Sequence, residues 1–274
     1  MIEENGSSGS ARRIASALSW SWQVLLRGIG FAAYGLAALT LGFVVLPLQR
    51  LVWRSSASSE HPQVRAQRAI HQTTRGWLWL VKLLGQVRVR ETGTEKLRER
   101  PVLVVANHPS LIDSPVLTAC MPQADFVVSA EWTRNPFLRR TIEAAGYLRA
   151  ETGPALVRQA VARLRAGRSV VVYPEGTRTP PGALRPFQRG IAHIALHAGC
   201  DIVPVVIRVR PRWLMKGQSL TQLHDETPEW HVEVGAPIRP TDHVLPGESR
   251  KDSAHRITAV LQDHFEKRWE RGSR

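Results

Sequence analysis

Residues 28–48 run without a charged side chain, GIGFAAYGLAALTLGFVVLPL, a stretch of 21 residues. At a rise of ~1.5 Å per residue a helix of that length covers about 30 Å, the thickness of a bilayer's hydrocarbon core. Trp20, Trp22 and Trp53 flank the run and Arg27, Arg50 and Arg54 close its ends, where interfacial anchors belong. The pattern predicts a membrane-anchoring helix over 23–54, crossing the bilayer or lying partly in its interface. It leaves 1–22 as a mobile tail, with linker-like composition at 6–10. A cleaved signal peptide and a buried core helix are the rivals. The run is long for either, and it ends in Pro47 and arginines rather than a small-residue cleavage site. Arginines are nearly balanced across it, Arg12, Arg13 and Arg27 against Arg50, Arg54, Arg65 and Arg68, so charge leaves its orientation open.

Residues 55–86 read as an amphipathic helical connector. Its stretch from Trp77 to Leu84 is too short to span, and fits either an interfacial helix with Lys82 reaching water or a core helix. Beyond Gln86, short apolar runs at 87–91, 102–106, 125–129, 147–150, 169–173, 202–208 and 231–235 predict strands. Between them, Leu156, Val157, Ala160, Val161 and Leu164 share one face of a helix over 154–166 that Gly167 is placed to end. Helices are also expected at 190–198 and 251–268. Alternating strands and helices predict an α/β domain over 87–274, its central sheet mostly parallel or mixed and flanked by helices. No repeat of solenoid period is present.

Composition narrows the partners. With 43% apolar residues in 274, the chain can bury a substantial core, which excludes a largely disordered protein. Two cysteines 80 positions apart, Cys120 and Cys200, suit buried thiols in a reducing compartment and exclude a disulfide scaffold. Lys and Arg outnumber Asp and Glu by 37 to 23, a net charge of +14, which favours nucleic acid, an anionic lipid surface or a phosphorylated substrate. No nucleic-acid module accompanies Trp213, Trp230 and Trp269, so nucleic acid is set aside in favour of a bilayer with anionic lipids. Arg256, Lys267, Arg268 and Arg271 on the last helix read equally as a solvated face or a lipid contact.

Two strand ends carry candidate chemistry. Asn107-His-Pro-Ser-Leu-Ile-Asp113 follows the apolar run at 102–106, where α/β proteins place their sites. Asp113 is five positions beyond His108, near enough to fix the imidazole's tautomer and stabilise its cation, making His108 a candidate general base. The spacing alone also suits a turn-capping histidine and a solvent-facing aspartate. Pro174-Glu175-Gly176-Thr177-Arg178 follows the run at 169–173. Gly176 lets backbone amides approach a ligand and Arg178 offers a fork for phosphate; by itself this also reads as a strand-end turn with a surface ion pair. His193 and His197 are four apart without a third ligand at useful spacing, so no metal site is expected.

In order and spacing, His108-x4-Asp113, Glu175-Gly-Thr-Arg178, Phe187-Gln-Arg-Gly190 and Val203-Pro-Val-Val-Ile207 resemble the glycerolipid acyltransferases typified by bacterial 1-acylglycerol-3-phosphate acyltransferase. The resemblance covers roughly 75–240. It implies a membrane-bound O-acyltransferase moving an acyl chain from acyl-CoA or acyl carrier protein to the hydroxyl of a lysophospholipid, 1-acylglycerol-3-phosphate first, to give phosphatidate. His108 and Asp113 would be catalytic; Glu175, Gly176, Thr177, Arg178, Arg189 and Arg149 would bind substrate, with amides near Gly176 facing the oxyanion. No cofactor or metal is implied. A bacterial-type inner membrane, with the catalytic domain facing the cytoplasm, is the implied location. The chain departs from the family where an Asp-Arg pair is common: Glu151 and Thr152 stand there, and Arg149 projects from the opposite face of the strand. Gln188 also replaces a frequent lysine. These changes admit another acceptor, such as an aryl polyene lipid, whose subgroup the His-Pro-Ser-Leu-Ile-Asp wording and Leu214-Met-Lys-Gly217 resemble. A catalytically silent acyl- or lipid-binding protein and a basic lipid-tethered scaffold are the other classes. The intact His108–Asp113 pair speaks for the enzyme.

Overall fold

A computed structural model describes residues 5–53, 61–99, 101–150, 153–180, 182–219, 221–222 and 224–271. Glu151 and Thr152 lie outside the described residues. Among the described residues, strands β1 (Arg88–Thr92), β2 (Leu103–Ala106), β3 (Asp125–Val128), β4 (Leu148–Arg149), β5 (Val170–Val172), β6 (Ile202–Arg210) and β7 (Glu229–Val234) form one seven-stranded sheet, ordered β1-β7-β6-β2-β5-β3-β4. The strands from β6 to β4 run parallel, β7 is antiparallel to β6, and β1 is parallel to β7. The sheet is therefore mixed, and every strand lies within a residue or two of an expected run.

The central strands are apolar throughout because both faces are covered. Along β2, Val104 and Ala106 enter one core while Leu103 and Val105 enter the other. The first core lies under α3 (Pro62–Leu83) and α5 (Asp113–Cys120); the second lies under α8 (Pro154–Arg165), α9 (Gly190–Ala198) and α10 (Arg250–Arg271). Strand β7 alternates instead, burying Trp230, Val232 and Val234 on one side only. Both α8 and α9 stop where expected, with Gly167 and Gly199 at φ of 74° and 67°, a region open to glycine without steric cost. Cys120 is buried and Cys200 half-buried, and burial pushes their thiols up to about 12 and about 11.

The N-terminal part differs from expectation in its boundaries and its placement. Helix α1 (Asn5–Thr40) starts inside the segment expected as a tail and continues through a π-helical turn, Leu41–Val45, into α2 (Leu46–Trp53). This apolar rod does not project away from the α/β domain; it lies along it. Trp77 Nε1 donates to Gly30 O at 2.8 Å and Gln86 Nε2 to Leu26 O at 2.6 Å. Farther along, Thr141 Oγ1 donates to Ala38 O at 3.3 Å. These contacts run from Leu26 to Ala38, about 18 Å of helix at ~1.5 Å per residue. The outer face exposes Trp22, Leu25, Ile29, Leu36, Phe43, Val44, Leu48, Leu51 and Val52. The connector is likewise part of the core: α3 buries Trp77, Leu78 and Val81 while Trp79 and Leu83 stay exposed. Its buried Gln67 donates to Asp125 Oδ1 at 3.0 Å, and Arg168 donates to the same oxygen at 2.6 Å. That network pins α3 to the N-terminal edge of β3.

Candidate active site

The chain leaves the sheet at Asn107. The side chain of Asn107, wholly buried, donates through Nδ2 to Ile207 O at 2.8 Å and accepts from Ile207 N at 2.7 Å. It continues the β2–β6 ladder one step after the main chain has turned off, so His108 emerges at a fixed point on the sheet's C-terminal edge. His108 Nδ1 meets Asp113 Oδ2 at 3.0 Å, with the aspartate sealed and the histidine 17% exposed. Asp113 is the first residue of α5, and its Oδ2 also accepts from Ser110 N at 2.6 Å. Its other oxygen accepts from Trp230 Nε1 at 3.0 Å. Every partner donates, the set a carboxylate requires, and the pairing directs a proton to His108 Nδ1 and leaves Nε2 with its lone pair. Tyr173 stacks on the imidazole, centroids 4.3 Å apart and planes 19° apart, its hydroxyl 2.9 Å from Ser114 Oγ. Burial pushes the phenol's pKa up, so it stays neutral.

The second strand end closes over the first. Thr179 N donates to His108 O at 2.7 Å, and His108 N donates to Thr179 Oγ1 at 3.1 Å. Thr179 Oγ1 in turn donates to Glu175 Oε1, while Glu175 Oε2 accepts from Arg185 N at 3.0 Å. The Glu175 carboxylate, expected to meet the acceptor, is thus used inside the chain: it holds Thr179, which holds the backbone of His108. Burial raises its pKa. Gly176 has φ +66°, a conformation that strains any other residue, and a Cβ there would lie 2.4 Å from Gln188 Nε2 and push that side chain aside. Its amide is taken by Tyr173 O at 3.1 Å, which removes it as an oxyanion donor. The amides of Thr177 and Arg178 have no protein acceptor among the described residues. Arg178 Nη1 donates to Leu214 O at 3.2 Å, and the same carbonyl accepts from Leu111 N at 3.0 Å.

The chain is 33% identical over 178 residues to the lyso-ornithine lipid O-acyltransferase of Pseudomonas aeruginosa, covering 64% of this chain and 67% of that one. A family model described as Acyltransferase matches residues 88–208, from β1 through most of β6. The chain belongs to the acyltransferase family. Its lysophospholipid-type membership is further marked by 22% identity over 187 residues to the 1-acyl-sn-glycerol-3-phosphate acyltransferase of P. aeruginosa, across 65% of this chain and 73% of the relative. The fold matches the crystal structure of the 1-acyl-sn-glycerophosphate acyltransferase PlsC from Thermotoga maritima. The TM-score is 0.59 at 22% identity, over 89% of this chain and 96% of that one.

The acyltransferase does not gather all the residues expected to bind substrate. Arg149 is exposed on the edge strand β4, three strands from β2, about 14 Å away at ~4.8 Å per strand. Arg189 is exposed at the entry to α9. The turn around Gly176 instead borders a cleft of about 1050 Å³ between α8 and α9, walled by Val127, Leu156, Val161, Val172, Ile191 and Ile194. His193 and His197 line its rim with ring centroids 6.5 Å apart, and no three metal-ligating side chains cluster among the described residues. Trp230, Tyr173, Thr179 and Asn107 were not singled out in the sequence as site residues. Only Asn107 carried a signal, as a buried-strand amide directly before His108.

Proposed function

We propose that this acyltransferase moves an acyl chain from a thioester of coenzyme A or acyl carrier protein to the free hydroxyl of a single-chain lipid whose headgroup carries a phosphate or carboxylate group. His108 is the general base. Its Nε2 takes the proton as the acceptor oxygen attacks the thioester carbonyl, and Asp113 stabilises the resulting imidazolium. The free amides of Thr177 and Arg178 are the donors for the tetrahedral oxyanion. Collapse breaks the C–S bond, and the imidazolium returns its proton to the departing thiolate. The observation that carries the reading is the partly exposed imidazole held by a sealed aspartate through its Nδ1. The apolar cleft beside Gly176 suits an acyl chain.

The exposed apolar face of α1 and α2 suits a helix lying in one leaflet of a membrane, with the α/β domain on the cytoplasmic side. A helix fixed lengthwise to a folded domain cannot cross the bilayer without dragging polar surface into it. Within the acceptor class, 1-acylglycerol-3-phosphate is the first reading, supported by the names of several relatives and by Arg178 at the site. Lyso-ornithine lipid is the second, supported by the 33% identity to an enzyme of that name and by Thr152 where the family commonly carries arginine. Membranes containing the protein, given a radiolabelled acyl thioester and each acceptor in turn, should yield one diacyl product. His108→Ala should lower its rate by about 10²–10⁴. Near-normal turnover in that variant, or no product from any single-chain lipid, would overturn the proposal.

A further inference from the structure

We infer that the pocket between the end of the apolar rod and α7 (Arg139–Ala145) binds the phosphodiester headgroup of an anionic phospholipid, apart from the site of acyl transfer. The inference rests on the in-leaflet placement proposed above. The pocket encloses about 520 Å³; Phe43, Pro47 and Arg50 line one wall, and Pro136, Arg139 and Arg140 the other. The π-helical turn at Leu41–Val45 contributes Gly42 and Phe43 to its rod side, just beyond the point where Thr141 Oγ1 donates to Ala38 O. Such turns recur at functional sites. Gly42 lets α7 close in: a Cβ there would lie 3.2 Å from both Arg140 Cβ and Thr141 Oγ1.

Among the described residues, Arg50, Arg139 and Arg140 share the pocket with one carboxylate, Glu143. Arg139 is paired with Glu143 at 2.9 Å. Arg140 lies over the Phe43 ring at 4.3 Å, and among the described residues neither it nor Arg50 has a carboxylate partner. Beside these guanidiniums, Phe43, Val44, Leu48, Leu51 and Val52 are exposed. Unmatched positive charge at the foot of an exposed apolar face fits a ligand with a phosphate next to hydrocarbon. An acidic peptide would satisfy the arginines and leave the apolar surface in water.

The test is sedimentation of the full chain with vesicles of phosphatidylcholine alone and of phosphatidylcholine mixed with phosphatidylglycerol. The wild type should bind both, and bind the anionic vesicles more tightly. The double variant Arg50→Gln with Arg140→Gln should keep its phosphatidylcholine binding and lose about thirtyfold on anionic vesicles, from about fivefold per arginine near an anionic surface. Arg250→Gln with Lys251→Gln, an equal charge change on α10, should lose much less. Arg140→Lys separates a shaped site from diffuse attraction, because it keeps the charge and discards the planar fork; it should lose severalfold. Equal losses for the two double variants, or wild-type binding by Arg140→Lys, would overturn the headgroup site. Failure of the wild type to bind either vesicle would instead overturn the membrane reading beneath it.

Discussion

Trp230→Phe removes the hydrogen bond to Asp113 together with part of a buried indole's packing. The indole is wholly buried and its Nε1 donates to Asp113 Oδ1 at 3.0 Å, the only donor to that oxygen among the described residues. Phenylalanine keeps an aromatic ring on β7 and leaves the carboxylate with His108 and Ser110 on its other oxygen. A hydrogen bond to a charged group contributes about 1.5–3 kcal/mol, so unfolding free energy should fall by roughly that amount plus a packing term. Trp213→Phe measures the packing term. Trp213 is 1% exposed, packs edge-on against Trp230 at 6.1 Å, and its Nε1 has no partner. If Trp230 positions Asp113, kcat should drop about tenfold to a hundredfold, equivalent to ~1.4–2.7 kcal/mol of barrier. KM for both substrates should hold, because neither binds to the indole. The assay is steady-state acyl transfer alongside thermal unfolding of both variants. Equal kcat in Trp230→Phe and wild type, with the stability loss present, would show that Asp113 is held well enough without it and refute the positioning role.

Glu175 gives a pH-dependent outcome. Burial raises its pKa, so folding favours the protonated form; the stability this confers is present at low pH and lost as pH rises through the raised value. Glu175→Gln should therefore gain more in Tm over the wild type at pH 8 than at pH 5, by thermal melts. Glu175→Ala strands Thr179 and Arg185 and should cost about 1–3 kcal/mol with a fall in kcat. Asn107→Ala leaves Ile207 N and O buried without partners and should cost about 2–6 kcal/mol, from ~1–3 for each, read by denaturant unfolding. Val161→Phe narrows the α8–α9 cleft and should shift acyl-chain preference toward shorter chains in a mixed-donor competition; an unchanged product profile would place the chain elsewhere.

Much of this architecture is local and therefore readable along the chain. Strand β2 is apolar at every position because both faces are covered, and β7 alternates because one face is not; each pattern is visible without knowing its neighbours. His108 and Asp113 are five residues apart across one strand-to-helix turn, so local geometry nearly guarantees their contact. What joins them to the rest is not local. Asp113 and Trp230 are separated by 117 residues and meet only because β7 folds back antiparallel onto β6. Nothing in the Glu-Gly-Thr-Arg wording tells whether the carboxylate faces a substrate or the chain; the turn's closure over His108 decides for the chain. The apolar rod shows the same limit most plainly. An uncharged helix is equally at home against lipid or against protein, since both remove apolar surface from water. Sequence established that residues 28–48 must leave water, and only the contacts from Leu26 to Ala38 decided that one side of the helix does so against its own domain.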